Sequence, residues 1–346
     1  MEGKNRERRK AVLLIVATVL AVTVASLLFL FYTKAGKRLT SKVVAGYLHD
    51  VVTYIPGGNG ELMGNEEGDE LSQIQKPADA EADGKEKEFY HILLLGEEAI
   101  RSTPGKGRTD AIILATVHVK EKKIILTSVL RDTYVEPEGM KPNKINAVYG
   151  KLGVNGLYKI LYDKLGVWPD GYVKVGFDSF EKVIDLLGGA EVTLTADEAQ
   201  YLNTHDYISN EAYRNVVTGT QVLNGNQTLG YCRIRHVANC NGKKYDYGRT
   251  ERQRMVLENL FERYMKAGIT KWAKILKEAL GYVETDISEE TMQDLIYAVY
   301  EGKITTMEQR QIPAKNTYES MDLNGVTSTL VLDWEANKEE FWNALK

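Results

Sequence analysis

Hydrophobic and polar positions divide the chain into a long uncharged run, an acidic stretch and a region where two periodicities alternate. Residues 11–33, AVLLIVATVLAVTVASLLFLFYT, carry no charged side chain. As a helix such a run extends about 35 Å, more than the roughly 30 Å hydrocarbon core of a bilayer, and it predicts one transmembrane helix. It exceeds the apolar region of a cleavable signal peptide and lacks a small-x-small site, so an uncleaved anchor is expected. Residues 56–88 hold ten acidic and three basic side chains with many glycines and almost nothing to bury, the composition of an extended, self-repelling linker. The folded part is therefore expected to start near Phe89. The boundaries that follow are a basic tail at 1–10, the span at 11–33, a juxtamembrane segment and acidic linker at 34–88, and a globular domain at 89–346.

From Phe89 onward strand-like and helix-like patterns interleave. FYHILLLG is a continuous apolar run suited to a buried strand, and AIILATVHV (111–119) followed by IILTSVL (124–130) reads as a hairpin. Helical periods follow at 153–165 and 177–187, the second stopped by Gly188 and Gly189 before the strand AEVTLT. VLNGNQTLGYCRIRH reads as turn, helix and strand, a longer helix opens near Arg249, and the remainder alternates helices with a last strand, STLVLDW, and a closing helix. The fold class expected is α/β: a layered domain with a central mixed β-sheet flanked by helices, preceded by one N-terminal transmembrane helix.

Charge changes the picture only locally. The 346 residues carry a formal net charge of -4, yet residues 231–254 hold five arginines and two lysines. If Val119 faces Ile124 across the hairpin, Asp110 and Arg131 share one sheet edge with Arg108. A first strand pairing antiparallel would bring Glu97 and Glu98 to the same edge. Read as a strand, CRIRH points Arg233 and Arg235 to one face. In the next helix Arg249, Arg252, Gln253, Val256 and Leu260 fall within about 100° of one another, which places the arginines on the buried side of the first turn. Cations there oppose the helix dipole unless an anion lies between them, and a diphosphate has the oxygens to occupy several guanidinium groups. Plain ion pairing is the competing reading. No nucleic-acid reading module is evident, and nucleic acid is not expected as a partner.

The segments ILLLG, GRTDAIILATV, SVLRDTYV, KINAVYGKLG, YVKVGFDSFEKVIDLLGGAEV, LNGNQTLGYCRIRH and YDYGRTERQR, taken in order, resemble the LytR-CpsA-Psr family of cell-envelope phosphotransferases over roughly residues 89–346. Five basic residues before the apolar run and four just after it barely orient the chain; the resemblance implies that the C-terminal domain is extracytoplasmic on a single-pass protein of the cytoplasmic membrane. It also implies a Mg²⁺-dependent enzyme that moves a glycopolymer phosphate from a polyprenyl diphosphate carrier to a muramic acid hydroxyl of peptidoglycan. By motif, Arg108, Arg131, Arg233, Arg235, Arg249 and Gln253 would bind the diphosphate, and Asp110 with Glu98 would hold Mg²⁺. Asp110, Arg131 and Arg249 would be catalytic, with Asp132, Asp246 and Arg252 in support. The chain departs from the family at LLLGEEAIR, where Glu98 stands in the place of an aspartate and the arginine is displaced to Arg101. Asp110, Asp132 and Asp246 all qualify as proton acceptor. Hydrolysis of the same diphosphate and non-catalytic binding of a lipid carrier or anionic polymer are the alternative functions.

Two smaller features stay open on sequence. Cys232, His236 and Cys240 recur every four residues but span an expected strand and loop without a fourth ligand, which argues against zinc. A Cys232–Cys240 disulfide is permitted outside the membrane. Helices at 153–165 and 177–187 carry enough apolar side chains either to line a prenyl slot or to fill a core.

Overall fold

The computed structural model describes residues 33–55, 74–78, 87–98, 107–265, 277–302, 304 and 306–346. The run expected to span the membrane lies outside them apart from Thr33, as does most of the acidic stretch 56–88. Among the described residues no helix is long and apolar enough to cross a membrane.

Folded structure begins well before Phe89. Helix α1 (Lys34–His49) and strand β1 (Thr53–Tyr54) precede it, which corrects the expected start. The cause is visible in the pairing: β1 adds to the edge of a sheet whose other strands lie between Phe89 and Ile312. Strands β2 (Phe89–Glu98), β3 (Arg108–His118) and β4 (Lys123–Val129) run antiparallel in sequence, so consecutive elements are neighbours in space. Their side chains alternate between two apolar layers. Leu93, Leu95, Ile112, Leu114 and Ile125 face one, while Tyr90, Ile113, Val117, Ile124 and Leu126 face the other. Both faces are covered, which is why these strands read as continuous apolar runs. The hairpin register pairs Val117 with Ile124, two residues from the expected alignment. A shift of two keeps every side chain on its face, and Asp110 still arrives beside Arg131.

After a short ribbon, β5 (Tyr134–Val135) with β6 (Asn143–Lys144), helix α2 (Tyr149–Leu165) crosses one face of the sheet. Its Leu152, Val154, Leu157, Leu161 and Leu165 belong to the main core. Gly166, at φ 75°, closes the helix in the left-handed conformation that a Cβ disfavours. Strand β7 (Gly171–Gly176) then pairs parallel to β2 and runs into helix α3 (Phe177–Leu186).

Next come β8 (Ala190–Leu194), α4 (Ala196–Thr204), β9 (Gly219–Leu223) and α5 (Gly225–Arg233), which with Val256 and Leu260 of α6 (Tyr245–Met265) form a second apolar cluster. Two expectations fail here. CRIRH is not a strand: Asn224 and Gln227 form a reciprocal capping box that starts α5, and the helix runs through Cys232 to Arg233. The period-2 look of the segment was local, and the cap outweighed it. Helix α6 also opens at Tyr245 rather than Arg249, so its first turn carries Asp246, as the dipole prefers.

The chain closes with β10 (Glu284–Thr285), α7 (Glu289–Gly302), β11 (Thr306–Ile312), the hairpin β12 (Tyr318–Leu323) and β13 (Val326–Leu332), and α8 (Trp334–Asn343). The central sheet has the order β1-β10-β7-β2-β3-β4-β11 and is mixed, with α2 and α8 on one face and α7 on the other. It is an α/β layered domain, as the alternation of patterns implied.

Candidate functional site

Three chain segments meet at one edge of the sheet. Asp110 stands near the start of β3, Arg131 and Asp132 just beyond the end of β4, and the start of α6 brings Asp246 and Arg249 over them. Arg131 Nη1 donates to Asp110 Oδ1 at 2.9 Å and its Nε to Asp246 Oδ2 at 3.3 Å. Arg249 Nη2 lies 3.2 Å from Asp246 Oδ1, and Arg235 Nη1 lies 4.0 Å from the same oxygen. Three guanidinium groups therefore share the carboxylate of Asp246. The backbone sets this up, because Tyr245 N donates to Arg235 O at 2.7 Å and ties the arginine beside the first turn of α6. Asp132, held by Lys144 Nζ at 2.9 Å, lies 3.9 Å from Arg131 Nε.

Burial makes this arrangement unusual. Arg249 is 4 % exposed, and neither its Nε nor its Nη2 has a hydrogen-bond partner among the described residues. Desolvation lowers its pKa, opposed by Asp246. Burial likewise works against the charge of Arg131, but Asp246 and Asp110 outweigh it and hold its pKa above the ordinary guanidinium value. Asp246 goes the other way: burial raises its pKa against the pull of Arg249 and Arg131, and the adjacent Asp132 adds to the rise. Asp132 is also penalised by burial, yet its bonds to Lys144 and Asp246 bring it below the usual carboxylate range. A buried cation with donors to spare beside a carboxylate of raised basicity suits a multi-oxygen anion and a proton transfer next to it.

The remaining expected residues divide. Gln253, one turn beyond Arg249, gives its Nε2 to Cys232 O at 3.4 Å and keeps a buried Oε1 without a hydrogen-bond partner. Arg233, in the last turn of α5, lies over the rings of Phe177 at 5.0 Å and Tyr207 at 5.8 Å. It does not share a strand face with Arg235 as expected, because the segment is helical. Arg108 is exposed at the first position of β3 and stands opposite Glu98 in the register. The side chain of Glu98, expected to hold Mg²⁺, lies outside the described residues.

Arg252 is the clear correction. Its side chain and that of Glu198 are both fully buried, with Nε on Glu198 Oε1 at 2.7 Å, Nη1 on Ile234 O at 3.1 Å and Nη2 on Val237 O at 3.0 Å. Every nitrogen has a private partner, so Arg252 fastens α6 to α4 and to the chain leaving α5. Helical-wheel proximity to Arg249 misled because the two side chains diverge into different layers. Arg254 is structural too, bonded to Gln309 at 3.2 Å and Ser128 at 2.5 Å.

Sequence reasoning missed two lysines. Lys144 orients Asp132. Lys174, on β7, lies between Glu97 at 3.1 Å and Glu284 at 3.0 Å with its Nζ 4.9 Å from the ring centre of Tyr149. The signal was a lone cation inside the apolar strand GYVKVG. Cys232 and Cys240 are free thiols, so the permitted disulfide is not formed. His236 is exposed, with its ring 6.3 Å from that of Tyr201.

Known proteins share the sequence pattern and the fold of this chain. Residues 59–346 match the model of the LytR_cpsA_psr family. The regulatory protein MsrR of Staphylococcus aureus (strain COL) is 30% identical over 251 residues, covering 72% of each chain. The polyisoprenyl-teichoic acid--peptidoglycan teichoic acid transferase TagV of Bacillus subtilis (strain 168) is 34% identical over 205 residues, 58% of this chain and 50% of that protein. The crystal structure of B. subtilis TagV superposes with a TM-score of 0.57 at 29% identity over 75% of this chain and 96% of that one. YwtF (TagT), solved with bound octaprenyl pyrophosphate lipid, shares the fold at a TM-score of 0.55 and 24% identity, over 77% of this chain and 93% of that one.

Proposed function

The chain belongs to the LytR_cpsA_psr family, and from that premise we propose that it transfers a glycopolymer phosphate from a polyprenyl diphosphate carrier to a muramic acid hydroxyl of peptidoglycan. The observation that carries the reading is Arg249, a buried guanidinium with two nitrogens lacking hydrogen-bond partners, set against Asp246 and Arg131. Names of relatives support the chemistry: TagV is a teichoic acid transferase, and TagT was solved with a prenyl diphosphate.

In this reading Arg131, Arg235 and Arg249 hold the diphosphate oxygens, with Arg233, Arg108 and Gln253 around them. The acceptor hydroxyl oxygen attacks the phosphorus that bears the polymer, the bond from that phosphorus to the bridging oxygen breaks, and polyprenyl phosphate leaves. The hydroxyl proton passes to a carboxylate. Asp246 fits best, since burial raises its basicity while Lys144 holds Asp132 in its charged form. The guanidinium groups around it stabilise the charge that builds on the leaving phosphate.

Mg²⁺ is part of the proposal. Asp110, partly exposed on the sheet edge with one oxygen on Arg131, supplies the hard carboxylate that Mg²⁺ prefers, and substrate phosphate oxygens commonly complete such a shell. Glu98 would be the second protein donor. Bound there, the ion would neutralise charge on the diphosphate. We also place residues 11–33 in the cytoplasmic membrane as a single span, with 89–346 on the outer side.

The test uses the full chain in detergent with a lipid diphosphate saccharide, Mg²⁺ and peptidoglycan strands. Arg249→Ala is expected to abolish release of lipid phosphate and to weaken diphosphate binding by at least ~1.5 kcal/mol, the value of a charge-assisted contact. Unchanged turnover in that variant would contradict the assignment.

A further inference from the structure

Helix α1 is amphipathic in the wrong sense for a helix that simply faces water. Its Ser41, Ala45 and Leu48 are 0 %, 0 % and 3 % exposed on the side that meets α7. On the opposite side Leu39, Val43 and Tyr47 are 50 %, 66 % and 43 % exposed. Spaced by four, these three form one stripe; Lys42 is exposed on its flank and Lys34 is exposed in the first turn of the helix. Asp50, just past the helix end, is exposed as well.

The start of the helix gives the stripe a direction. Thr33 has φ -101° and ψ 149°, and its hydroxyl accepts from Gly36 N at 3.0 Å, so α1 is capped and begins anew at Lys34. It is not obliged to continue the axis of the apolar run that ends there. Around the other end of α1 lie aromatic rings under lysines, with Lys277 Nζ 3.6 Å from the centre of the Tyr47 ring and Lys182 Nζ 5.3 Å from that of Tyr282. Tyr54, 40 % exposed, lies against His49 at 4.8 Å. Tyrosine with lysine is the composition of a bilayer interface.

From these observations we infer that the Leu39–Val43–Tyr47 face of α1 docks on the surface of an anionic membrane, with Lys34 and Lys42 on lipid phosphates. The inference rests on the reading of residues 11–33 as the membrane anchor. A helix that begins where the chain leaves the bilayer, carries an outward apolar stripe, and exposes one lysine in its first turn and another on the flank of the stripe fits the headgroup layer. A second copy packed by two-fold symmetry about Val43 would instead bring Lys42 of one stripe towards Lys42 of the other. Because β1, a few residues on, joins the sheet through β10 and β7, seating α1 also sets how the arginine edge of that sheet meets the membrane.

The experiment uses the full chain with Cys240→Ser to remove the exposed thiol, and a nitroxide on Val43→Cys. A nitroxide on Val222→Cys of β9, 54 % exposed in the native chain, is the control. Each protein is reconstituted into phosphatidylcholine vesicles with and without phosphatidylglycerol, and flotation establishes incorporation. At position 43 collisions with a water-soluble nickel chelate should be several-fold fewer than at 222 and collisions with oxygen more frequent. The protection should grow with phosphatidylglycerol and shrink in Lys34→Glu/Lys42→Glu. Protein that floats while position 43 is as open to nickel as 222 would overturn the docking and leave the anchor standing. So would dipolar broadening at 43 that disappears on dilution with unlabelled protein, which would put a second copy on the stripe. Protein that does not float would overturn the anchor and the docking together.

Discussion

Arg249 and Arg252 lie three residues apart on one helix, and the structure gives them opposite jobs, so replacing each by methionine should separate stability from activity. The guanidinium of Arg252 satisfies Glu198 and two backbone carbonyls in a fully buried setting. Its removal strands a fully buried carboxylate, and breaking one partner of a buried pair costs about 3–5 kcal/mol. For a domain of this size that is a fall in Tm of roughly 8–15 °C. Arg249 differs because it is already strained electrostatically: burial lowers its pKa, two of its nitrogens lack hydrogen bonds, and Asp246 retains Arg131 and Arg235 once it is gone. Relief of desolvation and loss of the ion pair with Asp246 nearly offset, so Arg249→Met should change stability by less than about 1 kcal/mol while eliminating transfer. Urea unfolding of both variants beside the turnover assay decides the matter. If Arg249→Met were as destabilising as Arg252→Met, or kept native turnover, the division of labour would be wrong.

Other outcomes follow from the same geometry. Burial brings the pKa of His91 down from 6.5 to about 4, with Asp170 opposing. The unfolded chain thus takes the proton first, and about 3 kcal/mol of stability present above the ordinary imidazole range should be lost as pH falls through it toward 4. Urea midpoints across that range should show this loss in the native chain and a smaller one in His91→Gln. Lys174→Met leaves Glu97 and Glu284 without the cation between them and should cost about 1–3 kcal/mol by the same measurement, because two partly buried carboxylates then lack compensation. Arg131→Lys keeps the charge but not the fork that reaches Asp110 and Asp246 together; turnover should fall at least about tenfold with little change in thermal stability. Maleimide should modify Cys240 in the folded protein and spare Cys232, whose thiol burial pushes up to about 12, until denaturant is added.

Patterns tied to burial were the legible part of the chain. Strands covered on both faces announce themselves as apolar runs, so β2, β3, β4 and their mixed sheet could be read directly, and the hairpin register mattered only modulo two. The meeting of Asp110 with Arg131 followed from that register alone. What escaped depended on tertiary context. CRIRH alternates like a strand, yet the Asn224–Gln227 cap committed it to a helix. Helix α1 and β1 went unseen because a two-residue strand has no period, and its stabilising partner, β10, lies more than two hundred residues away. Arg252 looked like a ligand-binding neighbour of Arg249 since a wheel gives angle but not depth, and Glu198, its partner, sits on another helix. Lys174 was audible as a lone charge in an apolar strand, but its two carboxylate partners come from β2 and β10 and no local pattern joins them.

The account stands on arginines gathered from separate elements to grip a diphosphate while a polymer changes hands. Its most direct test follows a label in the polymer of a prenyl diphosphate donor, incubated with the full chain, Mg²⁺ and peptidoglycan. The account predicts label bound to peptidoglycan through a phosphodiester, with one lipid monophosphate released for each attachment, and neither product with Arg249→Met. Label recovered as free polymer phosphate at the same rate with or without peptidoglycan, or attachment undiminished in Arg249→Met, would contradict it.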